Sequence, residues 1–165
     1  MATRRHGNGQ YAVQIGQDVF MCDGVILHMN SKYFRKLYDR FPVPVLHTSL
    51  PNEHVSPRSF SKIYNAMCHL AAFKIEDDLI PLFVACSYLE CDRYLDECKR
   101  YIMHNLDTVD VPQLLMLPQL KQNHFLYAAV KGYVCRHFSK VYHRCLLYTS
   151  PSPRDRTRSR MPSSA

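Results

Sequence analysis

Nine histidines and seven cysteines in 165 residues are the side chains best suited to bind a metal or to act as nucleophiles. The pairs closest in sequence are Cys68 with His69, Cys86 with Cys91, and Cys135 with His137. None has the repeated C-x2-C spacing that brings four ligands to one zinc ion, so the cysteines read as small core residues and the histidines as surface residues. Glu76, Asp77 and Asp78 are three consecutive carboxylates that could hold a divalent cation. They also stand where a helix begins, and acids there compensate the positive end of the helix dipole, so Asp77 or Asp78 is expected to cap that helix. The chain has no Gly-rich phosphate loop, no G-x-S-x-G and no H-E-x-x-H. The sequence therefore implies no catalytic residue, no cofactor and no metal, and the expectation is that this is not an enzyme.

Length and composition bound the elements that could position such residues. A chain with 47% hydrophobic and 21% charged residues can bury one sizeable core with a smaller helical satellite. No stretch approaches the roughly 18 consecutive apolar residues of a membrane span, and MATRRHGNG has no apolar signal-peptide core. The expectation is a cytoplasmic or nuclear protein without a membrane partner, its cysteines kept reduced.

The stretch from Cys145, CLLYTSPSPRDRTRSRMPSSA, lacks apolar periodicity and is rich in Ser, Pro and Arg. It resembles the conceptual translation of a transposase-based sequencing adapter: CLLYTSPSPRD matches the mosaic end, and SRMPSSA the flow-cell end. The competing reading is a natural Ser/Arg tail. Residues 145–165 are expected to be non-native and disordered, with the natural protein interrupted near Arg144. Arg154, Arg156, Arg158 and Arg160 against Asp155 supply three of the chain's seven net positive charges. The remaining excess is too diffuse for a nucleic-acid footprint, so no nucleic-acid partner is expected.

Periodicity orders the rest. Tyr11, Val13 and Ile15 alternate with Ala12 and Gln14, a turn follows at Gly16–Asp18, and Val19–Cys22 returns, which predicts a hairpin. From Gly24, Met29, Tyr33 and Leu37 lie on one stripe with Ile26 and Phe34 beside it, predicting one helix that ends before Pro42. An extended crossing or edge strand is expected near Val45–Leu50. Ser56 and Pro57 open a helix with Phe60, Ile63, Tyr64 and Met67 on its apolar face. A short strand around Ala72–Ile75 should precede a helix carrying Leu79, Leu82, Phe83, Cys86 and Leu89. A further helix follows from Asp92 with Tyr94, Leu95, Cys98, Tyr101 and Ile102. Asp110 and Pro112 start a short helix ended by Pro118, and Leu126, Ala129, Val130, Tyr133 and His137 mark the last one. The fold class is α+β, a small mixed sheet with a cluster of helices.

QYAVQIGQDVFMCDGVILHMNSKYFRKLY resembles the opening of a BTB/POZ domain, with Ser31, Lys32, Tyr33 and Phe34 as its Ser-x-Tyr-Phe signature. SLPNEHVSPRSF and DLIPLFVACSYLECDRYLDECKRYIMHNLD are similar to later parts of that domain. VDVPQLLMLPQLKQNHFLYAAVKGYVCRHFSKV resembles the start of the BACK region of Kelch-like proteins. The organisation implied is a disordered start over 1–9, a BTB/POZ domain over 10–106, the start of a BACK-like region over 107–144, and the tail. The resemblance implies a homodimerising substrate adaptor of a cullin 3 RING ubiquitin ligase, with substrate selected by a domain beyond these residues. Phe41 and Tyr88, supported by Leu114 and Leu115, are the cullin-side candidates; Val25, Ile26, Met29 and Tyr33 are the dimer candidates.

Departures from the family pattern qualify those implications. Gln10 and Asp23 stand where many members have Asp and His, which removes a charged pocket used by some transcription factors. Nine residues precede Gln10, so the dimer contact made by a leading helix is expected to be reduced. Phe41, Pro42 and Val43 keep the hydrophobe but lose the Glu of the cullin-binding pattern. The alternative function is a BTB scaffold or transcriptional-regulator dimerisation module without cullin recruitment. A channel-assembly domain lacks the expected zinc ligands and any span.

Overall fold

The computed structural model describes residues 10–40 and 47–142. The chain divides into two compact units, Met1–Asn105 and Leu106–Ala165. In the first, strands β1 (Gln10–Ile15) and β2 (Asp18–Asp23) form the predicted antiparallel hairpin, with Gly16 at φ +60° in its turn. A left-handed residue lets a two-residue turn follow the twist of both strands, and glycine adopts it without a Cβ clash. Strand β3 (His47–Leu50) adds to the other side of β1 in parallel, giving the order β2-β1-β3. Tyr11, Val13, Ile15, Cys22 and Leu50 face the core, while Val19 and Met21 are exposed on the opposite sheet face.

The helix expected from Gly24 is two helices. α1 (Gly24–Asn30) and α2 (Lys32–Arg40) are separated by Ser31, whose backbone is extended at φ −133° and ψ 123°. The stripe drawn through Met29, Tyr33 and Leu37 therefore does not lie on one continuous face. Asp23 caps α1, its Oδ1 accepting from Val25 N at 2.8 Å and from Ile26 N at 3.4 Å. At the start of α3 (Pro57–Met67), Ser56 Oγ accepts from Ser59 N at 3.2 Å, as the Ser-Pro pair predicts.

Residues 72–75 form no strand. The acids that follow them fold as a 3-10 turn, Glu76–Asp78, leading into α4 (Leu79–Tyr88). Asp78 occupies the cap position without capping; its carboxylate instead accepts from Lys62 Nζ and lies 3.0 Å from Arg58 Nη2. Lys62 and Arg58 stand four residues apart on α3, and charge-assisted bonds to two cations outcompete a bond to one amide. α4 carries no charged side chain and buries Leu79, Leu82, Phe83, Ala85 and Cys86, while Pro81 sits in its first turn where its missing N–H has no intrahelical partner to lose. α5 (Asp92–His104) packs against it through Tyr94, Cys98 and Ile102.

In the second unit, α6 (Val111–Met116), α7 (Pro118–Gln122) and α8 (His124–Arg136) pack on one another. Asp110 caps α6 and Asn123 caps α8. Pro118 ends α6 as expected, but it also opens α7 at a first-turn position, where proline is favoured. His137 lies just past α8, as its C-cap.

Candidate interaction surfaces

α1 sends one residue fully inward, half-buries another apolar side chain and leaves two outside. Leu27 is buried, Ile26 and Tyr33 are half-buried, and Val25 and Met29 remain 41% and 70% exposed. A seven-residue helix with two exposed large apolar side chains, beside a strand exposing Val19 and Met21, makes an apolar surface suited to a protein partner. At the end of β2, an edge strand of the sheet, the Asp23 N–H donates to the Tyr64 hydroxyl at 2.6 Å, so that amide is already paired. Burial raises the Tyr64 phenol to about 12, so it stays protonated.

The Ser-x-Tyr-Phe segment has a physical role. Ser31 is fully buried; its Oγ donates to the Leu89 carbonyl at 2.5 Å and accepts from Phe34 N at 3.3 Å. The first amides of α2 meet carbonyls just past the end of α4: Lys32 N donates to Glu90 O at 3.3 Å, and Tyr33 N to Leu89 O at 3.4 Å. The open amides at the start of α2 are thus satisfied by the segment that leaves α4. Glu90 supports the junction from φ +50°, and its carboxylate accepts from Lys36 Nζ at 2.6 and 2.7 Å. Lys32 pairs with Asp92 at 2.5 Å, a hydrogen bond that raises its pKa.

This junction sets the aromatic surface around Tyr88. Phe34 is buried edge-on to Tyr11, with ring centroids 5.9 Å apart. Tyr33 packs on Tyr88 at 5.4 Å, and His54 stacks on the same Tyr88 ring at 5.1 Å and 24°. Burial raises the Tyr33 phenol, with the neighbouring Tyr88 adding to the shift. Tyr88 is half-buried and supported by Tyr33 and His54, which gives a rigid aromatic side chain with part of its surface available to a partner. Among the described residues, the pairing of Tyr33 with Tyr88 brings together two candidate residues, one from each proposed surface. His54 had no sequence signal beyond its place in the turn before Ser56.

Phe41, the other main cullin-side candidate, and Val43 lie outside the described residues, as do residues 1–9 and the stretch from 143 that includes the adapter-like tail. Leu114 is fully buried among the helices of the second unit, and Leu115 is half-buried on the same helix. The second unit also holds a cavity of about 290 Å³ lined by Asp107, Val111, Pro112, Tyr133, Lys140 and Val141. There the Tyr133 hydroxyl donates to Asp107 Oδ1 at 2.6 Å.

Among the described residues the thiols do not assemble into a reactive site. Cys22, Cys86, Cys91 and Cys98 are buried, Cys68 is half-buried and Cys135 is exposed; all six are free. Burial pushes Cys22 and Cys91 up to about 12, and Cys86 is raised by its hydrogen bond with Cys98 and by burial. Such thiols are poor nucleophiles at neutral pH. Among the described residues no group of three or more His, Cys, Asp or Glu side chains could hold a metal ion, and no helix is long and apolar enough to cross a membrane.

A family model described as BTB/POZ domain matches residues 10–106. Among solved structures, the chain is similar to the BTB domain of zebrafish PATZ1, with 18% identity and a TM-score of 0.49 over 58% of this chain and 76% of that one. It is also similar to the BTB domain of human gigaxonin, with 15% identity and a TM-score of 0.49 over 59% of this chain and 80% of that one. No curated protein sequence matches the chain.

Proposed function

This chain belongs to the BTB/POZ domain family, whose members are protein-interaction modules, and on that premise we propose that it homodimerises and serves as a substrate adaptor of a cullin 3 RING ubiquitin ligase. The observation that carries self-association is the exposure of Val25 and Met29 on α1, with Val19 and Met21 exposed on β2. Burying such side chains against a second copy removes apolar surface from water at roughly 25 cal/mol per Å². In this reading Val25, Ile26, Met29 and Tyr33 form the contact, and the protein contributes no chemistry of its own. Cullin docking would use Tyr88, held by His54 and Tyr33, together with Phe41 after α2. Leu114 would act only by supporting its helix, because its side chain is fully buried.

The second reading, a scaffold or transcriptional-regulator dimerisation module without cullin recruitment, is favoured by one residue. Val43 stands where the cullin-binding pattern has Glu, which removes a carboxylate able to meet donors on the partner's rim. We further read the helices from Val111 onward as the start of a BACK-like region, and residues 145–165 as translated adapter.

Light scattering and calorimetry separate these readings. At tens of micromolar the chain should scatter as a dimer, and Met29→Glu should make it a monomer; a monomeric wild type would end the self-association reading. Against the N-terminal domain of cullin 3, Phe41→Ala should weaken binding at least about thirtyfold, since truncating a buried aromatic anchor costs about 2 kcal/mol or more. Val43→Glu should strengthen it. No heat from either the folded wild type or Val43→Glu would favour the scaffold.

A further inference from the structure

We draw no further inference here: the strongest candidate, the apolar patch that Val19 and Met21 expose on the open face of the three-stranded sheet, has nothing in the structure to show what covers it beyond the self-association already proposed.

Discussion

Replacing Ser31 with alanine tests whether one hydroxyl holds the junction of α1, α2 and α4. The side chain is fully buried, and its oxygen makes two bonds, to the Leu89 carbonyl and from the Phe34 amide. Alanine fills nearly the same volume, so the cavity contribution is small and the loss is almost purely polar. Removing the acceptor for Phe34 N resembles losing an N-cap, which costs about 1 kcal/mol. Losing a buried donor to a carbonyl adds about 1 kcal/mol more, moderated because Leu89 O keeps the Tyr33 amide. The expected destabilisation is about 2 kcal/mol, equivalent to a fall of roughly 10 °C in Tm for a domain of this size. Urea titration followed by circular dichroism gives the free energy, with an unchanged m-value showing that the folded and unfolded ensembles are otherwise the same. Ser31→Thr, which keeps the hydroxyl, should lose less than Ser31→Ala if its methyl is accommodated. A Ser31→Ala variant within about 0.5 kcal/mol of wild type would refute the assignment, because surface-like substitutions already span that range.

The remaining predictions concern backbone strain, acid stability and thiol access. His69 ends α3 at φ +57°, with Leu70 N bonded to Asn65 O and His69 N to Ala66 O, the bonding of a Schellman turn that glycine normally closes. His69→Gly should therefore stabilise the protein by about 0.5 to 1 kcal/mol in thermal melts, the relief of left-handed strain less the added freedom of the unfolded chain; a lower Tm would contradict it. The Asp78 carboxyl is held below its ordinary value by its hydrogen bond from Lys62, with Arg58 contributing, so protons bind it more weakly folded than unfolded. Its contribution is fully present above the ordinary carboxyl pKa and is lost as pH falls through the lowered folded value; Asp78→Asn should flatten that acid limb, and an unchanged limb would dissociate Asp78 from it. With a thiol-reactive dye under native conditions, Cys135 should react rapidly, and Cys22, Cys86, Cys91 and Cys98 only at the rate of opening; fast labelling of those four by mass spectrometry would contradict their burial.

What could be read along the chain depended on how far away the deciding partner lay. The hairpin was legible because alternation and the turn glycine are local, and Ser56 with Pro57 announced α3 for the same reason. The break at Ser31 was not, because the carbonyls that receive its hydroxyl and the α2 amides belong to Leu89 and Glu90. Periodicity across Gly24–Arg40 is compatible with a single helix, so only tertiary contact reveals two. Of the two expected caps, Asp77 or Asp78, Asp78 turns instead to Lys62 and Arg58 on another helix, while Pro118 ends α6 as its position implies and also opens α7. On the candidate surfaces, apolar character was visible in Val25, Ile26, Met29 and Tyr33. Which of them is covered was not, since burial follows from the packing of α1 on α2, β2 and α3. The stacking of His54 on Tyr88 joins a turn to a helix end and left no periodic trace.

The Ser31 junction also bears on the order in which the protein folds. Its hydroxyl bond spans 58 positions, whereas the β1–β2 hairpin closes across two residues. Hairpins form in about 1 to 10 μs, but a contact between residues so distant must first overcome the entropy of closing the intervening loop. Until α4 arrives, Ser31 lacks the Leu89 carbonyl, and only its local bond from the Phe34 amide marks the break between α1 and α2. The carbonyl that completes the junction between α1 and α2 therefore comes from 58 positions downstream, and the junction is complete only once α4 is in place. A chain that ends after α3 lacks the carbonyl Ser31 reaches, so truncation before Leu89 should leave the junction between α1 and α2 without its buried bond.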